Sequence, residues 1–239
     1  MKRRYIVLAL LLLIIALTAC DSTTRGSGNV ITEERDVSGY DSIALTGIGS
    51  VEIIQGDTES VVVEAEDNIM PLLTAEVQDG TLILSQEDNR IINPTKPIKY
   101  TVQIIEVNGL SSTGSGDIKV AILETNTLNL DLSGSGSINV ISMDADSLTV
   151  NISGSGQVEL SGQINDQQLD ISGSGGFQAS DLASKTADIN VSGSGKAVVA
   201  VEDTLDATIS GSGLVSYYGD PVVTSSLSGS GAIEQLEEE

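Results

Sequence analysis

The tripeptide Gly-Ser-Gly recurs seven times in the second half of this chain, beginning at Gly114, Gly134, Gly154, Gly173, Gly193, Gly211 and Gly229, at intervals of 18–20 residues. Self-similarity at a fixed period of this size is the mark of stacked structural units, and it limits the fold more than any other feature. The flanks repeat as well. Leu128, Leu130 and Leu132 precede one copy, and Leu148, Val150 and Ile152 stand at the same places before the next. Ile118 and Val120, Ile138 and Val140, and Val158 and Leu160 follow successive copies. Polar residues such as Asn129, Asp131, Asn139, Thr149, Asn151 and Glu159 alternate with them. A period of two describes strands with one buried face. One strand, bend and strand cannot bury its own apolar side, but turns stacked about 4.8 Å apart bury a continuous core. The remainder of each repeat, Met143 to Asp146 for example, is expected to add a turn and a short third strand.

Each bend carries two glycines: Gly114 and Gly116, Gly134 and Gly136, Gly154 and Gly156, Gly173 and Gly175, Gly193 and Gly195, Gly211 and Gly213, Gly229 and Gly231. A sharp corner between strands needs positive φ and close backbone approach, and these residues are the expected structural corners. The Ser inside each pair can bond to its own backbone or to the Ser of the next rung. A ligand-facing polar stripe is the alternative reading of that column, and turn chemistry alone favours the corner ladder.

Residues 1–20 read as a lipoprotein signal. Lys2, Arg3 and Arg4 precede an apolar run from Tyr5 to Ala16, and Leu17-Thr18-Ala19-Cys20 closes it with the one Cys of the chain. Cys20 is the expected lipidation site, because the arrangement resembles the bacterial lipobox. It implies a membrane partner through a lipid anchor and a cell-envelope location facing the extracytoplasmic side, with inner and outer membrane both open. Residues 21–30 follow as a flexible tether. The segment 31–110 is expected to supply antiparallel strands that cap the solenoid, with an Asp79-Gly80 hairpin and a loop from Gln86 to Pro97. Gly47-Ile48-Gly49 within it looks like a degenerate rung, with Ile43, Leu45, Val51 and Ile53 at the repeat offsets. Residues 111–233 form the Gly-Ser-Gly solenoid and 234–239 an acidic tail.

The repeated Leu-x-Leu-Ser-Gly-Ser-Gly-x-Ile-x-Val, as in Leu130 to Val140, resembles the auto-transporter adhesin head GIN domain family, over roughly Ile43 to Leu227. The resemblance implies an all-β, right-handed parallel β-helix and an envelope protein.

Composition removes several chemistries. With 34 acidic against 11 basic residues the formal charge is −23, which repels nucleic acid. There is no His, and the lone Cys is assigned to lipid, so neither a Ser-His-Asp triad nor a zinc site can be built. Asp117, Ser137, Gln157, Gly176, Lys196, Leu214 and Ala232 follow the successive corners, and one acid in seven cannot form a calcium cage. Gly195-Lys196-Ala197 lacks the hydroxyl of a phosphate-binding loop. No cofactor and no metal are expected. Acids such as Asp131, Asp170 and Asp188 belong to an outward polar face, which makes a carbohydrate-active enzyme of the β-helix type the weakest reading. The chain is therefore expected to be non-catalytic: an adhesin-like surface module for a glycan, peptide or envelope protein, or else a structural or stress-associated envelope protein without a specific ligand.

Overall fold

A computed structural model describes residues 23–87 and 90–237. The signal segment and Cys20 lie outside the described residues. The first part of the chain comprises β1 (Thr23–Arg25), β2 (Val30–Arg35), β3 (Ser42–Gly47), β4 (Ser50–Gln55), β5 (Ser60–Glu66), β6 (Leu73–Gln78), β7 (Thr81–Gln86), β8 (Ile91–Asn93), β9 (Lys99–Ile104) and β10 (Gly109–Gly114). Long winding strands follow, each running from one corner to the next: β11 (Asp117–Gly134), β12 (Ser137–Gly154), β13 (Gln157–Gly173), β14 (Gly176–Gly193) and β15 (Lys196–Gly211). β16 (Leu214–Tyr218), β17 (Val222–Gly229) and β18 (Ala232–Gln235) complete the last turn. All but β1 and β8 belong to one 16-stranded sheet wound into a β-solenoid.

Stacking is parallel and in register. Leu82, Ile43, Leu110, Leu130, Val150, Leu169, Ile189 and Ala207 stand on one another through eight rungs, all buried. This column holds because the period-two pattern keeps each apolar residue on the same face, and parallel pairing repeats that face one turn later. The column past the corner runs Tyr100, Val51, Ile118, Ile138, Val158, Phe177, Ala197 and Val215. Its largest member after Tyr100, Phe177, stands beside Ala197, so a large and a small side chain share the volume. Met143, Ala145, Ile164 and Leu182 are buried on the third side, where the expected extra strand forms. Turns of unequal length are reconciled beyond the corners: register shifts fall between Val140 and Met143, Glu159 and Ser161, and Ala179 and Ala183.

One column holds an exception. Leu128, Leu148, Gln167, Ala187 and Leu205 share it, and Gln167 is buried with them. Its Nε2 donates to Ser184 Oγ at 2.8 Å, and that hydroxyl donates to the Ala200 carbonyl at 2.9 Å. Gln167 Oε1 has no partner.

The solenoid begins earlier than residue 111. β7, β3 and β10 are parallel rungs, as are β9 and β4, so the degenerate Gly47-Ile48-Gly49 corner is a full turn. Among the described residues antiparallel pairing is confined to β6 with β7, β5 with β9 and β2 with β5, which close this end. The β6–β7 hairpin turns at Asp79 and Gly80, both with positive φ.

The expected tether over 21–30 is ordered where it is described. β1 pairs with β8, a strand inside the segment expected to be a loop. The short polar residues that read as flexible are held by a buried carboxylate. Glu66 accepts from the amides of Gly28, Thr95 and Lys96 and from the Thr95 hydroxyl, at 2.5–3.3 Å. Burial pushes its carboxyl up, and the Thr95 hydroxyl with the three amides outweighs that, holding it below the usual carboxylate range. The expected acidic tail also starts later, since β18 runs to Gln235 and the Leu236 amide donates to the Tyr217 carbonyl.

Candidate functional site: an exposed isoleucine stripe

The corner glycines occupy the positions their spacing predicts, stacked turn on turn. The first of each pair has φ between +116° and +127°. The rungs are joined here by backbone. The amides of Ser135, Ser155, Ser174, Ser194, Ser212 and Ser230 donate to glycine carbonyls one turn earlier at 2.7–2.9 Å. The Ser side chains are exposed. A hydroxyl-to-hydroxyl ladder is therefore not what holds the corner, because the carbonyl of the rung below already takes the amide and the hydroxyl turns to water.

Several outward acids bond to an amide or hydroxyl one turn away, while others stack on a second carboxylate, Glu124 on Asp144 and Asp188 on Asp206. Asn151 Nδ2 donates to Asp131 at 2.9 Å, Ser137 to Asp117 at 2.6 Å, Asn139 to Glu159 at 3.0 Å, and Gln163 to Asp144 at 2.7 Å. Like carboxylates stacked at rung spacing would repel, and interleaved donors relieve that. Among the described residues no group of three His, Cys, Asp or Glu is placed to hold a metal.

A different feature breaks the polar surface. Ile54, Ile122 and Ile141 are 45%, 65% and 65% exposed on consecutive turns, staggered rather than stacked, since Ile122 pairs with Ser142. They line a groove of about 520 Å³ bordered by Glu52, Lys99, Thr101, Lys119 and Asn139. Ile105 is exposed nearby in sequence to β9. The backbone beneath is rigid. Gln55 donates from Nε2 to the carbonyls of Ile105 at 3.3 Å and Glu124 at 2.9 Å, and its Oε1 accepts the Glu124 amide at 2.8 Å. One side chain thus pins three segments at the edge of the groove. Lys99 and Lys119 enter no ion pair among the described residues. Contiguous apolar surface rimmed by polar groups marks a contact site. Its signal in the sequence is doubling. Ile53-Ile54, Ile104-Ile105, Val120-Ala121-Ile122 and Val140-Ile141 put apolar residues side by side, and in a strand of period two one neighbour must face out.

The aromatic residues of the repeats form no such row: Tyr218 alone of the three is partly exposed without being packed on the core. Phe177 is in the core and Tyr217 packs against it.

A β-solenoid with repeated Gly-Ser-Gly corners defines the structural class of the chain. The chain belongs to the family described as putative auto-transporter adhesin, head GIN domain, whose model matches residues 39–221. A putative adhesin from Bacteroides fragilis superposes with a TM-score of 0.85 at 26% identity, over 89% of this chain and 99% of that one. A putative lipid binding protein from Parabacteroides distasonis gives 0.78 at 28% identity, over 90% and 100%. A putative adhesin from Parabacteroides merdae, at 20% identity and 0.72 over 90% and 99%, shares the fold. No curated protein matches the chain.

Proposed function

We propose that this protein is a lipid-anchored, non-catalytic module of the bacterial envelope that binds a partner protein through the isoleucine stripe. The observation that carries the reading is the exposure of Ile54, Ile122 and Ile141 on consecutive turns of a rigid sheet. An aliphatic stripe suits an apolar peptide segment, whereas sugar recognition favours aromatic faces, and here Phe177 is buried. Adhesion is the role described for relatives from Bacteroides and Parabacteroides. A non-catalytic role is supported by the donors that meet Asp131 and Glu159 one turn away. Membrane attachment rests on Cys20 and its preceding apolar run.

The lipid-binding description of one relative supplies a second reading, in which an amphiphile lies on the isoleucines with an anionic group near Lys99 and Lys119. A photoreactive residue placed at Ile122 in intact cells tests both. Protein adducts that vanish with Ile141→Lys are expected, with none from Asp170 on another face. Lipid adducts alone would transfer the site to an amphiphile, and equal labelling from both positions would refute a specific face. Cys20→Ser should shift the protein out of the membrane fraction, and unchanged fractionation would refute the anchor.

A further inference from the structure

Of the edge strands at the two ends of the solenoid, β17 alone among the described residues carries no charge, since β18 beside it holds Glu234. At the N-terminal end, β2 carries Glu33, Glu34 and Arg35, and β6 carries Glu76. Charges on edge strands oppose pairing with another chain. At the other end, β17 pairs with β15 alone and is exposed along its whole length. Its sequence, Val-Val-Thr-Ser-Ser-Leu-Ser-Gly, has no charge, and none occurs from Val222 to Ile233 in a chain of net charge −23. The residues that continue the interior columns here have no rung above them. Val223 lies on Leu205 and Leu227 on Ile209, and they are 37% and 53% exposed; Val222 is 72% exposed.

We propose that this edge pairs with the same edge of a second copy, giving a two-fold dimer joined through antiparallel β17 strands. A second copy fits for three reasons. Two molecules of strong like charge repel over most of their surfaces, and this neutral stretch is where that repulsion is least. A two-fold axis matches one patch to itself, and axial pairing of identical edges is necessarily antiparallel. An axis through Ser225 sets Val223 of each copy opposite Leu227 of the other, so a single register covers all four apolar side chains. Head-to-tail growth is opposed by the charged antiparallel strands at the other end. This inference rests on β17 and is independent of the isoleucine stripe.

The test uses the full chain extracted into detergent, where Cys20 is the one native cysteine. A residue on a two-fold axis faces its own counterpart, with Cα atoms ~4.5–5.5 Å apart in an antiparallel pair. That separation lies within disulfide reach. Ser225→Cys, mildly oxidised and run without reductant, should therefore yield a species of twice the mass of the reduced protein. Asp170→Cys should not. Adding Leu227→Lys to Ser225→Cys should abolish the doubled band while leaving the circular dichroism spectrum unchanged, because Leu227 is exposed within one chain. Sedimentation in detergent should give a dimer for the parent and a monomer for Leu227→Lys. Absence of the disulfide in a folded Ser225→Cys, persistence of the band with Leu227→Lys, or an assembly larger than two copies would each overturn the proposal.

Discussion

Replacing corner glycines by alanine separates two forces that the repeat combines. At Gly154 the backbone has φ +116°, and an added Cβ would lie 2.6 Å from the Gly134 carbonyl oxygen of the preceding turn. The first condition costs ~1–3 kcal/mol for a residue with a side chain. The second requires movement of a carbonyl already bonded to the Ser155 amide at 2.9 Å, an overpacking cost of ~1–3 kcal/mol. Gly47 shares the conformation, with φ +114°, but no atom lies within 4 Å of its added Cβ, so Gly47→Ala isolates the first term. Gly136 has no positive φ, yet its Cβ would sit 2.1 Å from the Gly116 carbonyl oxygen, so Gly136→Ala isolates the second. Ser155→Ala removes an exposed hydroxyl and should stay within ~0.5 kcal/mol. Urea denaturation followed at the β-sheet dichroism band should rank Gly154→Ala as most damaging, at about 2–6 kcal/mol, with the two single-term variants below it. Equal losses at Gly47 and Gly154 would show that turn-to-turn contact adds nothing. A loss at Ser155 exceeding that at Gly154 would refute the backbone account of the corner and return the Ser column to the status of a binding stripe.

Val150→Ala, inside the column between Leu130 and Leu169, should cost about 2–3 kcal/mol in the same assay, against ~0.5 kcal/mol for its outward neighbour Asn151→Ala; equal effects would mean the alternation is misassigned. Gln167→Leu should stabilise the protein by ~1–3 kcal/mol, because it removes a buried oxygen without a partner while Ser184 keeps its bond to the Ala200 carbonyl, and a lower unfolding midpoint would contradict this. The depressed Glu66 carboxyl contributes stability that is fully present above the ordinary glutamate pKa of about 4.3 and is lost as pH falls through its lower folded value. Hydrogen exchange at the Gly28 and Thr95 amides should therefore quicken only in acid, and Glu66→Gln should show fast exchange at neutral pH as well; protection that is indifferent to both changes would remove Glu66 as the clasp.

The rungs from Gly109 onward were legible because period-two alternation and a fixed corner leave one parallel register open, and Leu130 above Val150 follows directly. What the alternation concealed lies where it fails. β3 and β4 were recognisable from Gly47-Ile48-Gly49, but nothing in Thr81-Leu-Ile-Leu or in Lys99-Tyr-Thr-Val says that these strands stack beneath them, since that pairing depends on contacts far apart in sequence. The order in Ser27 to Asn29 was hidden for another reason. Its partners, Glu66, Asp67 and Asn68, lie about 40 residues away, and polar residues held by a distant carboxylate have the composition of a free linker. The stripe was present in plain view as doubled apolar residues. Such pairs read as core when the outward member is assumed to be buried, and only the register shows which of Val140 and Ile141 faces water.

The same geometry bears on where the contact face would work. Cys20 is three residues from Thr23, a span of at most ~11 Å for extended chain, and Thr23 opens the strand that pairs with β8 at the capped end. A lipid on Cys20 would thus hold that end against the bilayer, with later turns stacking away from it at ~4.8 Å each. Ile54, Ile122 and Ile141 belong to early turns, within a few rungs of the base, whereas β17 lies at the far tip. With the lipid proposed above, a face so near Cys20 would be reached most readily by proteins held in the same membrane.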